Sequence, residues 1–421
     1  MQTKRNLSIW TLILTLIAPI VLSGCANQAK SDIVEIEFYQ QKTEVVEIVD
    51  KIIAGFESEN PNIRVKQVNV PQDAGSVLHN RLSNNDEPDI FSDWFSEDFY
   101  IKIEAGHVKE LSSTGLLDSV IDKYKDMVNY KGKYYMIPVS LNTMGVFYNV
   151  DIFKQYNIAI PTTLNEFWEV CKLLKEHGIT PIAAADKENW TLTHWGLSIM
   201  GMYLSNYGDD FGKLYAGKLK GEDVAGIADF ADIFIKRTDY VQSDAIGTPF
   251  DASLGMFANG DAAMILQGTW EIPVLQSANP KLNYAIFPFP AKSAIDTKAM
   301  IGVDYGLSLA AHPKSAEREA AAIKFLRYFL DHGGQVYADD DGSISCLKNV
   351  TMEKSRYPLI MEVIKAGRTF NWPDFDYWGT ATYGEIAIAL QNLVMSKDKS
   401  TFYKEFQKAF EITKPSTYIL K

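Results

Sequence analysis

Cys25 is the first residue of this chain whose type and setting point to chemistry. It closes the run Leu22-Ser23-Gly24-Cys25, behind a basic pair (Lys4, Arg5) and an apolar stretch, Leu7 to Leu22, interrupted by Pro19. Basic, apolar and small-residue segments in that order form a secretory signal peptide. A cysteine directly after them is a lipobox acceptor: cleavage frees its amino group, and its thiol takes a diacylglycerol. Other reactive types are dispersed. Histidines at 79, 107, 177, 194, 312 and 332 contain no pair at metal-ligand spacing. Asp339-Asp340-Asp341-Gly342 fails as a calcium loop, because placing Gly342 sixth puts Tyr337 first and Lys348 twelfth. It reads instead as a solvated turn. A glycoside hydrolase needs two carboxylates roughly 5–10 Å apart, and Asp93, Glu97, Asp98, Glu271 and Asp304 offer candidates. An acidic chain always offers such candidates, and no catalytic motif surrounds these. The sequence has no Gly-x-Ser-x-Gly elbow and no phosphate-cradling glycine loop. Nothing in it implies a cofactor.

Aromatic rings beside amides and carboxylates are the chemistry that remains. The chain has 8 Trp and 21 Tyr, a high count. Gln40 and Gln41 follow one period-2 segment, and Asp93 and Trp94 follow another, Asp89-Ile90-Phe91. In open α/β sheets that position, beyond the strand ends, is where ligands bind. Trp190 and Trp195 lie in a polar-aromatic stretch, Asn189 to Gly196, that opens a helix. One of the two is expected in a cleft and the other in the core, with Trp190, nearer the loop, the better candidate for the cleft. Asp304 and Tyr305 follow a strand start. Indoles present flat faces, and amides and carboxylates hydrogen-bond around a ligand's rim.

The elements that must position these groups alternate. Val34, Ile36 and Phe38 alternate with Glu35, Glu37 and Tyr39 as in a strand. Val45, Ile48, Val49, Ile52, Ile53 and Phe56 recur at helical spacing until Asn60-Pro61. A second strand is expected from Ile63 to Val70, giving a β-α-β order and a mostly parallel sheet. A hairpin turn is expected at Tyr130 to Tyr134. Thr163 and Glu166 form a capping box ahead of the stripe Leu164, Phe167, Cys171 and Leu174. A later helix follows Ser315 and closes at Gly333-Gly334. Cys171 reads as a small core residue, although a disulfide between Cys171 and Cys346 stays open at this point. Residues 26–32 are small and polar, as in a tether.

Bulk numbers frame this. A mature chain of roughly 400 residues exceeds the ~250–300 at which one core stops growing, so two lobes are expected. Hydrophobic residues make up 47% and charged residues 22%, the composition of an ordinary soluble protein. A net charge of −12 disfavours nucleic acid and anionic membrane surfaces.

Several segments, in order, resemble the carbohydrate-binding solute-binding proteins of ABC importers, the family that includes maltose-binding protein. They are Phe56-Glu57 with Asn60 to Val65, Pro88 to Phe91, Lys131 to Tyr135 with Pro138, and Val146 to Lys154 with Pro161-Thr162-Thr163. Met256 to Met264 with Gly268-Thr269-Trp270, Tyr284 to Pro290, and the helix after Pro313 complete the set. The resemblance covers nearly all of the mature chain. It implies an α/β, two-lobed periplasmic-binding-protein-like fold with several crossover strands and a ligand cleft between the lobes. Crossings are expected near Pro138–Asn142, Phe289–Ala299 and Gly334–Cys346. The expected parts are a lipoprotein signal peptide, 1–24; a lipidated tether, 25–32; an N-terminal lobe, 33–138 plus 299–335; and a C-terminal lobe, 142–290 plus 345–421. Asn142 then follows the first crossing, and Trp270 takes the family's cleft-lining indole position. Trp372, Asp376 and Trp378 form an aromatic-acidic cluster where the family often adds a stacking residue, with Trp378 the choice. The resemblance makes the stretch near Asp341 a cleft-edge loop. The implied function is capture of a carbohydrate, an oligosaccharide by its count of indoles, for delivery to an ABC permease. The implied setting is a monomer anchored through Cys25 outside a Gram-positive cell. A secreted glycoside hydrolase, or a binder of a polyamine or glycerol phosphate, is the alternative.

Overall fold

Strand ends from two halves of the sheet meet at one cleft, and the sequence sets this up locally. The computed structural model describes residues 33–70, 73–352 and 356–413, apart from the side chains of Asp374 and Asp376. Cys25, the signal segment 1–24 and the tether 25–32 lie outside the described residues. Val34–Gln40 forms the first strand and pairs in parallel with Ile63–Asn69 and Ile90–Asp93. Between the first two, helix Val46–Glu59 buries Ile48, Val49, Ile52, Ile53 and Phe56, and Asn60 caps it. A second group pairs Thr180–Ala183 in parallel with Ala262–Gly268.

Two long antiparallel strands join the groups. The first, Ile137–Asn149, uses Ile137 to Thr143 against the second, Ala299–Leu309. Its other half, Met144 to Asn149, pairs with Ala262–Gly268 and Tyr284–Phe287. The second crossing strand pairs with Ile90–Asp93 at one end and with Thr369–Asn371 at the other. Ile344–Ser345 adds a short third pairing at Ser140 and Leu141. The fold is α/β and two-lobed, with a core cluster under each half. One holds Phe38, Phe56, Leu307 and Phe325, and the other Phe167, Phe211, Leu390 and Phe406.

Local signals explain much of this. Lys131 (φ 52°) and Gly132 (φ 80°) turn the hairpin between Asn129–Tyr130 and Lys133–Tyr134, the paired positive φ of a type I′ turn. The Thr163–Glu166 capping box is present on helix Leu164–Glu176. Cys171 and Cys346 are both free and buried, so no disulfide joins them. The Ser315 helix departs from expectation. Ala316–Tyr328 continues through a π-helical turn, Phe329–Gly333, into Gly334–Asp341. A Cβ on Gly333 would come 2.6 Å from Ile52 and one on Gly334 2.4 Å from Leu347. Those glycines permit close packing and do not stop the helix. Asp341 is consequently a buried helix-end residue, where a solvated turn was expected.

Candidate ligand-binding site

A chamber of about 450 Å³ opens where the strand ends converge, within the range of small-molecule sites. Three of its indoles stand just past strand ends: Trp94 after Ile90–Asp93, Trp270 after Ala262–Gly268, and Trp372 after Thr369–Asn371. Helix Asn189–Tyr203 adds Trp190 and His194, one turn apart on one face. His194 meets three indoles edge-on, at ring-centroid distances of 5.3 Å to Trp190, 5.5 Å to Trp270 and 5.1 Å to Trp372. Phe250 lies 4.7 Å from Trp190, and Phe375 stacks 5.8 Å from Trp372. Two glycines make room for the back wall. A Cβ on Gly268 would come 1.8 Å from the Trp270 ring, and one on Gly302 would come 2.2 Å from Trp372.

Polar groups line the same chamber. Asn142 sits on the first crossing strand and Asp304 on the second, where the register shifts between Val303 and Tyr305. A bulge of this kind re-aims a side chain, and Asp304 is turned into contact with the Lys42 ammonium. Asn142 donates to the other Asp304 oxygen at 2.5 Å, and Lys42 also reaches Asp341 at 3.1 Å. Burial opposes the charge on Lys42, but Asp304, Asp341 and Glu44 outweigh it, so its pKa ends above the ordinary lysine value. Burial raises Asp304 to about 6 against the pull of Lys42, and the like charge of Asp341 adds to the rise. Glu271 opens helix Glu271–Ala278 and is 3% exposed, and its Oε2 has no partner among the described residues. Burial, with Glu44 nearby, raises it to about 8. The Nδ1 of His194 is also buried without a partner among the described residues, and desolvation lowers its pKa to about 3. At neutral pH the chamber therefore presents a neutral acid and a neutral imidazole beside the Lys42 ammonium, which faces two carboxylates.

The structure brings together Trp94, Asn142, Trp190, Trp270 and Asp304. Six other expected residues do not line the chamber. Gln40 folds back on the Lys42 backbone, and Gln41 bonds Ser92 through both its backbone N–H and its side chain. Asp93 turns into its own lobe and pairs with Lys102 at 2.7 Å. Trp195 is core, between Phe289 and the guanidinium of Arg237. Tyr305 points away from Asp304 and stacks on Tyr337 at 4.9 Å. Trp378 is buried against Phe211 and Phe410, and Trp372 of the same cluster lines the chamber in its place. The Asp376 side chain lies outside the described residues.

Lys42, Glu44, Ser96, His194, Phe250 and Phe375 line the chamber without having been singled out for it. His194 was readable from its helical spacing to Trp190. Phe250 had no signal at all. Among the described residues, no group of three or more His, Cys, Asp or Glu could hold a metal ion, and no helix is long and apolar enough to cross a membrane.

A family model described as bacterial extracellular solute-binding protein matches residues 40–336. The chain belongs to that family. A multiple sugar-binding protein of Streptococcus mutans serotype c is 30% identical over 352 residues, 80% of this chain and 81% of that one. The solved structure of the solute-binding protein RafE with raffinose matches at a TM-score of 0.80 and 26% identity, over 90% of this chain and 98% of that one. The apo form of RafE from Streptococcus pneumoniae matches at 0.77 and 25%, over 91% and 98%. These relatives are named as binding proteins, and the family is extracytoplasmic by its description.

Proposed function

We propose that this protein captures an oligosaccharide in the chamber between its lobes and delivers it to an ABC transporter permease. The lobes are 33–138 with 299–335, and 142–290 with 345–421. The observation that carries this reading is that four indoles line one chamber together with amide, ammonium and carboxylate groups. Pyranose rings have C–H faces that stack on indoles and hydroxyls that exchange hydrogen bonds with such groups. Relatives named for raffinose and for multiple sugars support the ligand class. Ligand favours the closed arrangement only through contacts it makes better there. A dissociation constant near 1 μM corresponds to about 8 kcal/mol. A lipid on Cys25 would keep a monomeric receptor beside its permease in a cell with a single membrane.

The test is calorimetric titration with galactose, melibiose, raffinose, stachyose and the maltose series. Micromolar or tighter binding of at least one, with the sugar recovered unchanged, is expected. Binding of none would remove the reading. Hydrolysis abolished by Asp304→Asn would make the protein a glycoside hydrolase.

A further inference from the structure

We propose that a second cavity, on the far side of Glu44, is a subsite for the trailing units of a bound oligosaccharide. This rests on the sugar-binding reading above and adds a direction to it: one sugar unit stacks in the aromatic chamber, and the chain continues past Glu44. The second cavity holds about 510 Å³ and is lined by Glu44, Glu47, Lys51, Gln276 and Asp340 among others. Glu44 belongs to the walls of both cavities.

Two elements run from one cavity into the other. Lys42 lies at the chamber, Glu44 at the boundary, and Glu47 and Lys51, four residues apart on helix Val46–Glu59, in the groove. Helix Glu271–Ala278 likewise begins at the chamber with Glu271 and reaches the groove at Gln276. Both segments therefore contribute side chains to the chamber and to the groove.

The change of lining says what the groove takes. The chamber combines four indoles and two phenyl rings with its polar groups, whereas the groove offers carboxylate, amide and ammonium side chains beside Ile48, Pro273 and Val274 and has no indole. Such a surface suits hydroxyls of a hydrated sugar unit and does not suit ring stacking. Lys51 and Asp340 pair at 2.7 Å with exposures of 62% and 40%. An exposed pair of this kind is held weakly and can exchange its partner for a hydroxyl.

The experiment titrates melibiose, raffinose and stachyose, with maltose, maltotriose and maltotetraose as a second series, into the wild type and Gln276→Trp. Gln276 is exposed on its helix, so the indole fills the groove without entering a core. Ser277→Arg serves as a second obstruction, with folding of both checked by thermal melts. In the series that binds, the wild type should gain tenfold or more in affinity from disaccharide to tetrasaccharide. The variants should lose that gain and keep the disaccharide affinity within about twofold. Equal affinities across lengths in the wild type, or an unchanged length profile in folded variants, would overturn the subsite while leaving sugar capture standing. Binding of neither series would overturn both.

Discussion

Glu271→Gln tests the electrostatics of the chamber with the least change of shape. Glu271 is buried on the wall, with Oε2 unpartnered among the described residues, and burial raises its pKa from 4.5 to about 8. A carboxyl raised in this way holds its proton more tightly when folded than when unfolded. Its contribution to stability is therefore complete below pH 4.5 and is lost as pH rises through about 8. The interval spans roughly 3.5 pH units at about 1.4 kcal/mol each, a limit of roughly 5 kcal/mol. Glutamine mimics the neutral acid and does not titrate. Lys42, Glu44 and Asp251, the charged groups acting on Glu271, are unchanged in the variant and largely cancel from the comparison. Urea unfolding of both proteins between pH 5 and pH 9 is the assay. Near pH 5 their stabilities should agree closely. By pH 9 the wild type should fall behind the variant by a few kcal/mol. Parallel profiles would refute a neutral Glu271.

Other substitutions probe separate parts of the site. Lys42→Met leaves Asp304 and Asp341 buried without their cation and should cost about 3–5 kcal/mol in chemical denaturation; Asp304→Asn on that background should restore part of the loss. Trp270→Ala should weaken sugar binding tenfold or more by calorimetry. Because that indole is only 9% exposed, the same change should also cost about 3–5 kcal/mol of stability. Cys25→Ser should abolish incorporation of labelled palmitate and release the protein into the medium.

The backbone was more legible in the sequence than the site. Period-2 alternation and the capping box identified strand Val34–Gln40 and helix Leu164–Glu176 because those signals are local. The rule that ligands sit past strand ends also pointed to loops that border the chamber. It fixes a loop without fixing which of its side chains face the cleft. Gln41 and Asp93 occupy such loops, yet Ser92 and Lys102 draw them inward, while Lys42 and Trp94 beside them line the chamber. Indoles were ambiguous for a similar reason. Trp372 and Trp378 are separated by what packs on them, Gly302, His194 and Phe375 for one and Phe211 with Phe410 for the other. Asp304 and Tyr305 part company at a bulge that no local pattern announces.

The central claim is that the aromatic chamber holds the ligand, and Trp190→Ala addresses it most directly. Trp190 lines the chamber, is only half-buried, and touches Phe250 and His194, so its loss disturbs the fold less than that of Trp270. Buried aromatic anchors in binding sites are commonly worth ~2 kcal/mol or more. Calorimetry with the tightest-binding sugar should show an affinity at least tenfold lower, with a melting temperature close to that of the wild type. An unchanged affinity in the folded variant would place the ligand somewhere other than this chamber.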